Sequence, residues 1–128
     1  VPLAHHWRDL IPMSRSRWHI LRDDASLTMT RRLPVRFDLA VETVFPRVGR
    51  LRLARQIRQD MWRELQGLRG FAPAVRVTDE GGTLRVTAGG AVQAPFASKA
   101  VEERLAALLA DPARRARWCT HAARKGAR

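Results

Sequence analysis

Arg52, Arg55, Gln56, Gln59, Arg63 and Gln66 recur through residues 50–69 at spacings that put most of them on the side of a helix facing away from its apolar residues. Guanidinium groups fork onto phosphate oxygens and carboxamides reach base edges, so this combination of residue types suits a polyanion-binding surface better than a reaction centre. The same residues would equally serve as an ordinary solvated helix face. A second basic cluster, Arg114, Arg115, Arg117, Arg124, Lys125 and Arg128, joins a helical run to a basic end that would neutralise phosphates without fixed geometry, releasing counterions. From the two clusters, Arg52, Arg55, Arg58, Arg63, Arg114, Arg115 and Arg117 are the expected phosphate contacts.

The charge balance points the same way. Twenty-two arginines and two lysines stand against 12 acids over 128 residues, for a net charge of +12. Residues 50–72 contribute +4 and residues 98–128 contribute +5, whereas residues 73–97 are neutral, so the surplus is concentrated. A domain this small with so much unbalanced charge repels itself, and a polyanion or an acidic partner relieves that repulsion. Two ligand classes follow: nucleic acid, DNA or RNA, held through phosphates, or an acidic protein on which the chain docks as an accessory or assembly subunit. In the second case Trp7 and Arg8, beside His5 and His6, are the expected anchors. Of the other tryptophans, Trp62 and Trp118 adjoin apolar helix positions and are expected in the core. Stacking on unpaired bases is the other use of such rings.

Catalytic patterns are sparse. Cys119 and His121 supply two metal ligands where a structural zinc site takes four and a catalytic one three, and the remaining histidines are scattered. The sequence has no nucleophile elbow, no Gly-x-x-x-x-Gly-Lys phosphate loop and no GxGxxG fingerprint, so no cofactor is expected. A metal-dependent nuclease using Asp38, Glu42, Asp79 and Glu80 is the one enzymatic alternative, since carboxylates on strands can hold a metal near a basic surface. A single cysteine cannot close an internal disulfide. The amino end lacks a basic start followed by an apolar run, and no stretch nears the ~18 apolar residues of a membrane span, so a cytoplasmic setting is expected.

These side chains need a scaffold, and the periodicity outlines one. Ser14 to Ala25 reads as a brief helix carrying Trp18, Ile20 and Leu21 between turns. Alternation then gives one strand over Leu27, Met29 and Leu33, and after Pro34 a second over Val35, Phe37, Leu39 and Val41. Leu51, Ala54, Ile57, Met61, Leu65 and Leu68 define a helix from about Arg50 to Arg69, with Gly70 as its stop. Ala74–Asp79 and Thr83–Ala88 flank Gly81-Gly82 as a hairpin, which sets Thr78 opposite Arg85 and Arg76 opposite Thr87. Gly89-Gly90 and Pro95 read as a loop, Ser98 as the cap of a helix through Leu109, and Asp111-Pro112 as the start of a last helix to about Ala123 anchored by Trp118. The expectation is an α+β fold: one basic domain over residues 1–123 with a mobile tail over 124–128. Its antiparallel sheet has about four strands in the order β-β-α-β-β-α-α after a short helix, and the long amphipathic helix covers it.

Overall fold

A computed structural model of the chain describes residues 18–126. The fold is α+β, with five antiparallel strands and three helices in the order β1 (His19–Arg22), β2 (Ser26–Thr30), β3 (Leu39–Pro46), α1 (Arg50–Leu65), β4 (Ala72–Asp79), β5 (Thr83–Ala91), α2 (Ser98–Ala110) and α3 (Pro112–Gly126). Across the sheet the strands run β1-β2-β4-β5-β3. Strand alternation sends Leu27, Met29, Val75, Val77, Leu84 and Val86 into the core, where Leu53, Ala54, Ile57, Met61 and Leu65 of α1 meet them. α1 packs on β2, β4 and β5, α2 packs on β3, and α3 lies against both of the other helices.

The hairpin has the expected register: Thr78 pairs with Arg85 and Arg76 with Thr87. Glu80 N–H donates to the Thr83 carbonyl at 2.9 Å to close the turn, and the Asp79 carboxylate accepts from Gly81 N–H at 3.0 Å. α3 starts as Asp111-Pro112 requires. The Asp111 side chain accepts from Arg114 N–H at 2.9 Å, while proline occupies the first helical position, where it has no N–H to leave unpaired. The helix runs on through Gly126.

Six expectations need correcting. The segment holding Ile20 and Leu21 is strand β1 and not a helix, because all four of its residues find partners along β2, from His19 opposite Thr30 to Arg22 opposite Leu27; Ser14 to Arg17 lie outside the described residues. The sheet therefore has five strands, not four. The strand expected over Val35–Val41 begins only at Leu39, since Asp38 turns its carboxylate to Val92 N–H at 3.0 Å and to Arg36 at 2.6 Å, and Phe37 lies 5.1 Å beneath the Arg76 guanidinium. β3 then continues to Pro46 at the edge of the sheet, the position in which a strand tolerates proline. Gly89-Gly90 belong to β5 and not to a loop, and Ser98 is the first residue of α2, with no side-chain cap at its start. Finally α1 ends at Leu65, and Gly70 closes the short turn after it.

Candidate polyanion-binding site

The arginines that look alike in the sequence are sorted by the fold into two kinds. Arg115 of α3 is consumed in holding that helix to the sheet. Its guanidinium donates to Thr43 Oγ1 at 3.0 Å, to the Leu109 carbonyl at 2.9 Å and to the Val44 carbonyl, and it lies 3.9 Å over the Phe45 ring. Arg117 pairs with Asp60 of α1, Arg63 pairs with the same carboxylate at 3.4 Å, and Arg114 stays 3.8 Å from Asp111 on its own helix. Arg47, Arg36 and Arg104 are likewise matched with Asp79, Asp38 and Glu64. Four of the seven expected phosphate contacts are thus held by groups of the protein itself.

Arg52, Arg55 and Arg58 are different: among the described residues none of them makes a salt bridge. Arg55, Arg58 and Trp62 fall at i, i+3 and i+7 on α1, hence on one face of the helix. That face opens on a cleft of about 390 Å³ between α1, the start of β1 and the approach to β4, lined by Arg31, Arg32 and Arg58 together with Trp18, Trp62 and Phe71. Among the described residues no acidic side chain lines it. The Arg58 guanidinium lies 4.7 Å over the Trp18 ring and that of Arg31 lies 5.9 Å from it. Burial, and then the charge of Arg55, lower the pKa of Arg58; the second of these causes is a like-charge repulsion, which an anion beside the two guanidinium groups would relieve. Its Nε is buried without a protein partner.

Trp62 corrects one more expectation. It is 41% exposed and not a core residue, and its ring stacks on Phe71 with centroids 6.1 Å apart and planes 10° apart. Trp118 does anchor α3 and is wholly buried. Sequence reasoning missed the cleft because its three rings come from three separate segments. The available signal was the helical spacing of Arg58 and Trp62, which places a ring beside a cation four residues away.

The acidic residues considered for a nuclease do not converge. Asp38 faces Arg36, Asp79 faces Arg47, and Glu80 and Glu42 share Arg85, whose pKa is raised by the hydrogen bond and charge of Glu80 and then by Glu42. Among the described residues no group of three His, Cys, Asp or Glu side chains is placed to hold a metal ion, and no helix is long and apolar enough to cross a membrane. Trp7 and Arg8 lie outside the described residues.

Cys119 and His121 sit two apart on α3, a spacing that turns their side chains to different sides. Cys119 packs against the core, and burial pushes its thiol pKa up in spite of the nearby Arg115 charge. A raised pKa leaves less thiolate at a given pH. At pH 8 the folded protein is expected to react with an aromatic disulfide reagent at least roughly ten times more slowly than the unfolded chain does. Equal rates in buffer and in denaturant would contradict that placement.

Comparison of the chain with protein-family models, with curated proteins and with solved structures finds no match.

Proposed function

We propose that this protein binds nucleic acid without acting on it, holding phosphates with the arginines of α1 and of the adjoining cleft. The observation that carries the reading is the company those arginines keep: among the described residues Arg52, Arg55 and Arg58 make no salt bridge, and Arg58 lines a cleft whose described lining also holds Arg32 and no acid. Such a cluster costs folding energy, since like charges repel and cations in the first turns of a helix oppose its dipole. α1 has no acidic residue in its first turn to offset this. A bound polyanion supplies the missing counter-charge.

The test is binding of fluorescein-labelled DNA and RNA oligonucleotides over a salt series. With about four phosphates neutralised, the logarithm of affinity should fall with the logarithm of salt at a slope of roughly −3 to −4. Replacing Arg52 and Arg55 together by alanine should flatten that slope by about 1.5 to 2 and weaken binding to every sequence alike. Arg114→Ala should leave the slope unchanged, because that side chain faces Asp111. Failure of both DNA and RNA to associate in dilute buffer overturns the reading. A single acidic protein retained in fixed stoichiometry, with no nucleic acid, would replace it.

A further inference from the structure

We infer that the cleft between Trp18, Trp62 and Phe71 receives an unpaired nucleobase, so that the strand this protein holds is single-stranded. The inference rests on the nucleic-acid reading above and adds the class of substrate. Phosphate contacts alone make no distinction between one strand and two. The rings do. In a duplex both faces of every base are covered by its neighbours, and only a strand whose bases can be splayed out offers a free face to an aromatic side chain.

Three features suit the cleft to that task. Trp62 presents a large ring to solvent, and Phe71 stacked on it fixes its plane, so little side-chain freedom is left to lose on binding. The volume, about 390 Å³, falls at the lower end of the ~300–1,000 Å³ in which proteins seat small organic groups, enough for a base and part of its sugar. Finally, cations rim the rings: Arg32 is exposed at the cleft, and Arg58 carries a buried Nε–H with no partner of its own beside the Trp18 ring. A base entering between the rings would bring its flanking phosphates to these guanidinium groups.

The lining also limits what the cleft can read. Besides the arginines and the rings its described lining contributes Ala72 and Pro73, with no amide, hydroxyl or carboxylate side chain among the described residues to match a Watson–Crick edge. Binding is therefore expected to tolerate most sequences. An acidic peptide would satisfy the arginines and leave the exposed ring unused, which is why a base is the better occupant.

The experiment compares the full chain with a 12-nucleotide single strand of mixed sequence, a duplex of the same length and a free mononucleotide, by anisotropy and by quenching of tryptophan fluorescence at one low salt concentration. The single strand should bind about ten times more tightly than the duplex and quench the tryptophan emission. Trp62→Ala should weaken single-strand binding by about ten-fold and leave duplex binding within two-fold, while Trp62→Phe should recover most of the loss. Because Trp62 is exposed, circular dichroism of the variant should match that of the parent. Equal affinity for single strand and duplex, unchanged by Trp62→Ala, overturns the base-binding inference and leaves the electrostatic reading in place. No binding to either overturns both. A mononucleotide bound as tightly as the 12-mer overturns the strand and assigns the cleft to free nucleotides.

Discussion

Gly89→Ala is expected to destabilise the protein by about 3 to 5 kcal/mol, a large part of the ~5–15 kcal/mol that holds a domain of this size folded. Gly89 lies in β5, the strand between β4 and β3, with φ of +153°. A Cβ built there would stand 1.8 Å from the Leu39 carbonyl oxygen and 2.6 Å from its carbon. Both atoms belong to backbone, so no side chain can swing aside to make room. Relief requires β3 to move off β5 at the Ala40–Gly89 pair, taking the buried Leu39 with it. Gly90 faces the same restriction from the other neighbour, 2.1 Å from the Ala72 carbonyl oxygen at φ of +136°. Urea unfolding followed by circular dichroism measures the effect. Gly82→Ala, with no atom within 4 Å of the added Cβ, serves as the control and should stay within about 0.5 kcal/mol of the parent. A Gly89→Ala variant as stable as that control would show that the strands do not approach so closely.

The same two glycines show where a linear reading of the chain fails. Adjacent glycines followed by a proline carry the local signature of a loop, and only the neighbouring backbones reveal that the strands leave no room there for a side chain. β1 was hidden for a related reason. Its four residues bury almost nothing, so no alternation appears until β2 supplies hydrogen-bond partners. β3 slipped by four residues because Thr43 interrupts its apolar alternation at an inward position, and the group that satisfies its hydroxyl, Arg115, lies 72 residues away in sequence. Where the decisive interactions are local, the reading succeeds. The hairpin register follows from two turn residues and the pattern beside them, the α1 stripe from a period, and the start of α3 from Asp111-Pro112.

The site was legible to the same degree. Arginines of α1 can be placed on an outer face from spacing alone. Whether a given arginine is open to a ligand depends on whether an acid from another element reaches it, and that is a tertiary fact. Arg117 and Arg55 look equivalent in the sequence. One is committed to Asp60, and the other makes no salt bridge among the described residues and lies near enough to Arg58 to repel it. The position of the Trp62 ring depends on the same kind of information: it flanks the buried stripe, which in sequence looks like core, and the fold leaves that flank open.

Asp60→Ala is the second large effect, expected to cost about 2 to 4 kcal/mol. Asp60 stands on α1 with only 11% of its side chain exposed, and its carboxylate accepts from Trp118 Nε1 at 2.7 Å, from Arg117 and, at 3.4 Å, from Arg63. These bonds tie α3 to α1. Removing the acceptor leaves the indole N–H of a wholly buried tryptophan without a partner, which alone costs about 1 to 3 kcal/mol. Arg117 and Arg63 are about half or more exposed, so the loss of their pairing adds little, of order 1 kcal/mol or less. Asp60→Asn separates the two contributions. Its amide oxygen can still accept from Trp118, and its cost should be roughly half that of alanine. Guanidinium unfolding read by tryptophan emission distinguishes the variants, and an Asp60→Ala protein within about 0.5 kcal/mol of the parent would contradict the tie. Arg117→Ala, measured for binding, should leave the salt slope of oligonucleotide association unchanged, because a guanidinium already held by a protein carboxylate releases no counterion from a phosphate. If that slope falls instead, the Asp60 pairing opens when nucleic acid binds, and the acid acts as a competitor for Arg117 in addition to its role in the fold.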